Sequence, residues 1–165
     1  DSQKIKRFSS LKNLKFIEFP KLGLNQLNKV LKKIIKLGGG ILLIDYGYIN
    51  PNNSNTLQSV LKHKKNKILE NLGKADITYL VNFKLLHEFF SKNNLKVKRT
   101  VSQKFFLEKM GIIERANILS KKMNFKEQSD LYLRLKRLLD IKSMGNLFKV
   151  IFAYKFKNDN FLGFE

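Results

Sequence analysis

Gly38-Gly39-Gly40-Ile41-Leu42-Leu43-Ile44-Asp45-Tyr46-Gly47 is the stretch on which the fold turns. Upstream of it, Leu24, Leu27, Val30, Leu31, Ile34 and Ile35 recur at spacings of three and four, while Lys29, Lys32, Lys33 and Lys36 lie away from that face. Such spacing predicts an amphipathic helix. The glycines end it, because glycine accepts the left-handed conformation of a C-terminal cap. Ile41 to Ile44 then form a continuous rather than alternating apolar run, the mark of a parallel strand covered on both faces. Ahead of the helix, Lys15-Phe16-Ile17-Glu18-Phe19 has strand composition and is stopped by Pro20. Together these segments predict a βαβ unit in a parallel sheet with helices on both sides. A phosphate-binding loop needs strand, glycines, helix; here the order is reversed, which favours the cap.

Asp45-Tyr46-Gly47 stands at the predicted end of that strand, where open α/β sheets place ligands. A carboxylate there is costly unless it is solvated, paired or meeting a ligand. Two readings of Asp45 stand side by side: a ligand-facing group, and a loop-capping residue bonding amides two positions on. Tyr46 and Gly47 read as a tight turn, with Gly47 allowing positive φ or the close approach of another group. Residues 48–55 read as a loop, and residues 56–75, basic and weakly patterned, receive no structure. Asn82 is the expected N-cap of a helix through Leu85, Leu86, Phe89 and Phe90 that ends at Asn93-Asn94. Asp76 and Thr78 precede it, with capping or loop bonding as their default role. Residues 95–101 alternate as a strand broken by Arg99. Helices follow at 103–110, 113–123 and 126–139, Gly145 breaks the pattern, and 147–154 form a closing strand. Asn158-Asp159-Asn160 turns the chain into its tail, and no linker or repeat divides it.

Composition narrows the function. The 165 residues carry 33 Lys+Arg against 13 Asp+Glu, a net charge of +20, yet 43% are hydrophobic and 14 are Phe. That is core material, not the composition of a disordered chain. Without Cys there is no disulfide, thiolate nucleophile or Cys-ligated metal. The apolar runs fall far short of the ~18–20 residues that cross a bilayer. His63 and His87 are too isolated for a metal site; His87 on a Phe-rich helix reads as structural, and His63 among lysines has its proton disfavoured, which suits a neutral hydrogen-bonding role. The lysines spread over the whole chain as an A/T-rich coding sequence would spread them. A nucleic-acid binder concentrates charge, usually with Arg and exposed aromatics.

Six segments in order carry a resemblance. They are Gly39-Gly40-Ile41-Leu42-Leu43-Ile44-Asp45-Tyr46-Gly47; Asn55-Thr56-Leu57-Gln58 followed by His63; Gly73-Lys74-Ala75-Asp76-Ile77-Thr78; Tyr79-Leu80-Val81-Asn82-Phe83; Gln103-Lys104-Phe105-Phe106-Leu107-Glu108-Lys109-Met110-Gly111-Ile112 with Arg115; and Met144-Gly145-Asn146-Leu147-Phe148-Lys149-Val150. From about Ile17 to Phe164 the chain resembles the MidA-like S-adenosylmethionine-dependent methyltransferases. The resemblance implies an α/β fold, the C-terminal portion of a Rossmann-like class I methyltransferase sheet. Residues 41–46 would be its fifth strand, 95–101 and 147–155 its final antiparallel pair, and 113–139 a helical elaboration on the active-site side.

The same resemblance implies S-adenosyl-L-methionine as cofactor and, through mitochondrial relatives, methylation of arginine in a protein substrate, a respiratory complex I subunit. A homodimer is the implied assembly, cytoplasmic in a bacterium or in the mitochondrial matrix of a eukaryote. The family's glycine-rich loop after the first strand and acidic residue after the second are not found upstream of Ile17, and Asp1-Ser2-Gln3-Lys4 opens without Met. Residues 1–165 are therefore expected to be the C-terminal half of a single domain, inactive alone, with the cofactor held mainly by the other half. Asn55 and Asn82 stand where the family commonly has Asp, so no carboxylate role carries over to them. Asp45 is the expected substrate-facing carboxylate, with Tyr46, Gly47, His63, Asp76, Thr78 and Gln103 on the substrate side. The alternatives are a small basic nucleic-acid-binding domain and a non-catalytic assembly factor of the same fold. Since a +20 surface repels arginine, the pocket should be locally acidic or neutral.

Overall fold

The computed structural model describes residues 2–51, 53–157 and 159–165; Asp1, Asn52 and Asn158, which fall in the opening tetrapeptide, the polar loop and the turn before the tail, lie outside the described residues. A short helix α1 (Ser2–Ile5) and a 3-10 turn (Ser9–Leu11) lead into an irregular stretch. Residues 15–19, expected as a strand, form none. Lys15 N–H donates to Asn53 Oδ1 at 2.6 Å and the Glu18 carboxylate takes up Thr56, so this segment bonds the loop at 53–56 instead of a ladder. The expected βαβ unit is therefore absent. Helix α2 (Lys21–Leu37) follows and buries Leu24, Leu31 and Ile34, while Val30 and Ile35 stay exposed. Gly38 and Gly39, at φ 78° and 121°, swing the chain into β1 (Gly40–Tyr48).

Residues 56–75, left without structure by pattern, contain a hairpin of β2 (Gln58–Leu61) and β3 (Lys64–Asn66), with β4 (Asp76–Thr78) on the other side of β2. Its two-residue turn is Lys62-His63, at φ 49° and 63°. Primed turns of this kind usually hold Asn-Gly, which is why no turn signal stood there. Next, β5 (Val81–Asn82) enters α3 (Phe83–Lys92), and Asn82 caps it as expected, its Oδ1 accepting Leu85 N–H at 3.0 Å. The strand expected at 95–101 splits into β6 (Lys96–Val97) and β7 (Val101–Ser102), with Lys98 N–H still donating to Phe152. Arg99, the break in the pattern, leaves the sheet to lie over the Phe105 ring.

Helices α4 (Gln103–Lys109), α5 (Ile112–Ser120) and α6 (Phe125–Leu139) fall within a few residues of the helices expected at 103–110, 113–123 and 126–139. A capping box between Asn124 and Glu127 starts α6. Gly145, read as a breaker, instead sits in the short helix α7 (Met144–Leu147), where a Cβ would fall 2.3 Å from the Leu139 carbonyl oxygen. The chain then enters β8 (Phe148–Tyr154).

β8 is the centre of the main sheet, whose order is β5-β1-β8-β6 with β7 also on β8. It runs antiparallel to β1 from Gly40 opposite Tyr154 to Tyr46 opposite Phe148. The predicted parallel sheet is thus corrected: β1 meets a directly bonded parallel neighbour only at β5, where Gly47 opposes Val81 and Tyr48 opposes Asn82. An apolar run reports burial, not strand direction. The final antiparallel arrangement expected from the resemblance is present, since β6 is antiparallel to β8 and so parallel to β1. β1 is also covered on one face rather than two; Ile41 and Leu43 pack on the core while Leu42 and Ile44 are 44% and 45% exposed.

It is β8 that is buried on both faces. Ile151 and Ala153 join Leu31, Phe83, Leu85 and Phe90 in the larger core, and Val150 and Phe152 join Phe106 and Phe164 in the smaller one. The tail is pinned there by Asp159, which accepts Tyr154 O–H and Lys96 Nζ–H at 2.8 Å each. Burial and that carboxylate push the Tyr154 hydroxyl up to about 12. At the other end, Glu88 of α3 accepts the N–H groups of Ser9 and Ser10 at 2.7 and 2.9 Å. Burial alone would raise its pKa, but these bonds outweigh it and hold the carboxyl at about 2. Among the described residues no helix is long and apolar enough to cross a membrane.

Candidate functional site

The end of β1 is where the chain's chemistry gathers. β1 runs on through Tyr48, so Asp45-Tyr46-Gly47 is extended strand and not the tight turn expected. Gly47 is needed for close approach: a Cβ would lie 2.2 Å from the Val81 carbonyl oxygen and 2.8 Å from the Phe83 ring. In extended backbone successive side chains point to opposite faces, so Asp45 and Tyr46 part company. Asp45 lines a cavity of about 210 Å³, and Tyr46 and Tyr48 line a wider groove of about 1060 Å³.

The cavity lies between α2, β1 and the start of α3. Leu24, Leu27, Leu43, Phe83 and Leu86 make its apolar walls, and Glu18 and Asp45 bring two carboxylates to it; no Lys or Arg lines it. Asp45 Oδ1 accepts the N–H of Tyr46, the next residue, at 2.8 Å, not an amide two positions on. Glu18 is held from outside: Thr56 donates its hydroxyl to Oε2 at 2.6 Å and its N–H to Oε1 at 3.0 Å. Thr56 Oγ1 in turn accepts Leu80 N–H at 3.0 Å. Since Glu18 lines the cavity and Thr56 the groove, this pair is a partition between the two. Tyr48 abuts the same partition. Its hydroxyl is pushed up by burial and by the Glu18 charge, against the hydrogen bond with Asn82, and so stays protonated at neutral pH.

The groove has a different character. Tyr46 stands edge-on to Phe148 at 5.6 Å, Leu57, Leu69, Leu80 and Leu147 supply apolar surface, and Lys65 and Lys67 come from the hairpin.

The remaining expected site residues are dispersed. His63 occupies the hairpin turn, and Asp76 and Thr78 pair with Val60 and Gln58 on β4; none of the three lines the cavity or the groove. Gln103 is buried, its amide donating to Leu138 O at 3.0 Å and so tying α4 to α6. Pattern reading missed Glu18 and Thr56. The one available signal was a charged residue inside the apolar run 16–19; its partner lies 38 positions away. Among the described residues no group of three or more His, Asp or Glu could hold a metal ion.

Residues 3–101 match the family described as "Putative S-adenosyl-L-methionine-dependent methyltransferase". The chain is 29% identical over 123 residues to "Protein arginine methyltransferase NDUFAF7 homolog, mitochondrial" of Caenorhabditis elegans, and 29% over 124 residues to "Protein arginine methyltransferase NDUFAF7, mitochondrial" of Xenopus tropicalis. Each alignment takes in 74% of this chain and 28% of the relative, so the chain spans under a third of the length of these proteins. Two crystal structures from Burkholderia thailandensis share its fold at a TM-score of 0.75. An uncharacterized protein does so at 20% identity, over 99% of this chain and 44% of its own. A "likely methyl transferase" bound to S-adenosyl-homocysteine does so at 22% identity, over 96% and 43%.

The cavity beside Asp45 does not by itself form a cradle for such a cofactor. The only glycine cluster leads from helix to strand, and the cavity falls below the roughly 300 Å³ at which small-molecule sites begin. A single side chain is the occupant that its size suits.

Proposed function

Because the chain belongs to the S-adenosyl-L-methionine-dependent methyltransferase family matched over residues 3–101, we propose that it is the acceptor side of a protein-arginine N-methyltransferase, with Asp45 facing the substrate guanidinium. The lining of the small cavity carries this reading. Apolar walls suit the methylene stem of an arginine, and the only charges on the lining are the carboxylates of Glu18 and Asp45. A guanidinium offers five donors in a planar fork that matches carboxylate geometry. The lining itself carries no Lys or Arg, which lessens the repulsion expected of a +20 chain, although Lys149 of β8 stands opposite Asp45.

When bound, the family's cofactor supplies the methyl group, and its cradle is assigned to the remainder of the longer protein. This chain's residues perform the positioning. Asp45 orients the guanidinium, Glu18, itself fixed by Thr56, holds negative potential beside it, and the leucine and phenylalanine walls exclude water. Of the residues expected on the substrate side, Tyr46 and Gly47 shape the strand that carries Asp45; His63, Asp76, Thr78 and Gln103 stand off the cavity. The relatives' names favour a protein acceptor, a respiratory complex I subunit being the first to test, in the mitochondrial matrix if the source is eukaryotic.

Asp45→Asn in the full-length protein tests the assignment. Arginine methylation should fall at least about tenfold in kcat/KM, equivalent to about 1.4 kcal/mol of transition-state stabilisation, with cofactor affinity unchanged by calorimetry. Unaltered turnover removes Asp45 from the site.

A further inference from the structure

We propose that the wide groove on the opposite face of β1 binds an extended segment of the protein acceptor, and that it selects segments carrying acidic residues beside apolar ones; this rests on the acceptor reading above. The groove opens along Tyr46 and Tyr48, on the strand that also carries Asp45 but on its other face, so a segment lying in it is anchored across β1 from the cavity. Its volume of about 1060 Å³ is five times that of the cavity, room for several residues of an extended peptide.

Its chemistry is two-part. Leu57, Leu69 and Leu147 are 41%, 82% and 46% exposed, unusually open for leucines that share one concave surface. Grouped exposed apolar residues with a polar rim mark interaction sites. The hairpin and the residues after it supply the rim: Lys65 has no carboxylate partner among the described residues, while Lys67 pairs with Glu70, which also lines the groove, in an exposed i,i+3 contact at 3.0 Å. An acidic segment meets cations here while its apolar residues cover the leucines, and complementarity of this kind sets partner choice and encounter rate.

Nucleic acid fits less well. The groove has no Arg, its lining is rich in Leu and Ile, and the Tyr46 ring already packs edge-on with Phe148. Stacking needs free ring faces.

The test uses the full-length protein and two fluorescein-labelled twelve-residue peptides, each with one central Arg and two Leu, flanked by Glu in one and by Lys in the other. The Glu-flanked peptide should bind at least tenfold more tightly by fluorescence anisotropy. Lys65→Glu should cut that preference at least threefold, and Lys65→Glu combined with Lys67→Glu should reverse it, with circular dichroism checking that both variants fold. Equal binding of the two peptides, a preference untouched by either variant, or no binding at all, as when another part of the longer chain fills the groove, overturns the proposal. So does single-stranded RNA that displaces the Glu-flanked peptide and loses affinity in the same variants. A charge preference that shifts as expected while no arginine is methylated upholds the groove and counts against the methyltransferase reading alone.

Discussion

Across a single strand, the end of β1 holds two hollows of opposite character. On one face the cavity is small, apolar-walled and lined by two carboxylates without a cation; on the other the groove is five times larger and edged by Lys65, Lys67 and Glu70. At their margin the Glu18–Thr56 pair joins the lining of one to that of the other. The chain as a whole carries +20, yet that figure describes neither hollow alone. Net charge governs solubility and long-range encounter, while the chemistry of a site follows from the few groups within about a Debye length of it.

The strongest way to break the contrast is to remove the frame that both hollows share. Gly47→Ala places a Cβ 2.2 Å from the Val81 carbonyl oxygen, so β5 must move away from β1. A loss of about 3 kcal/mol in stability is expected, with both hollows disrupted. Denaturant unfolding measures it, and a variant as stable as the parent would show that the two strands do not need this approach. Thr56→Val acts on the partition. It deprives Glu18 of a hydroxyl donor and Leu80 N–H of its acceptor, for an expected cost of about 2 kcal/mol, and Thr56→Ser should recover most of it. If the valine variant changes one hollow's activity and leaves the other's intact, the partition is not shared.

Glu88→Gln should give the smallest effect and touch neither hollow, because its partners are the Ser9 and Ser10 amides that dock on α3 and Lys92 of the same helix. About 1 kcal/mol of stability should be lost at neutral pH. The sign of its pH dependence is definite. The folded carboxyl, at about 2, lies below its ordinary 4.5, so its contribution is full above pH 4.5 and fades as pH falls from there toward 2. Melting curves of parent and variant should differ at pH 7 and converge near pH 2; a constant gap would mean that the charge is not what docks the segment.

Much of the frame was legible in the sequence. Three-and-four spacing located α2, Asn82 marked the start of α3, and the glycines marked the passage into β1. These features are local, decided within a few residues. Strand partners were not legible in that way. Residues 15–19 have strand composition but find their bonds in a loop nearly forty positions on, and the run 41–44 was read as doubly covered when that property belongs to β8. The hairpin was hidden because Lys62 and His63 adopt positive φ without glycine. At the site, Asp45 was found by its place after an apolar run, whereas Glu18 and Thr56 matter through one long-range contact, and only the folded chain brings them together.

The position of β8 also has a consequence for how the protein is made. The strand at the centre of the sheet comes after all its described partners in the chain: Gly40 cannot meet Tyr154 until more than a hundred further residues have left the ribosome. Until then β1 and β6 have no common neighbour, and β1 presents unpaired amides beside exposed Leu42 and Ile44. Pairing across so long a stretch of chain is slow, and its intermediates are prone to aggregate.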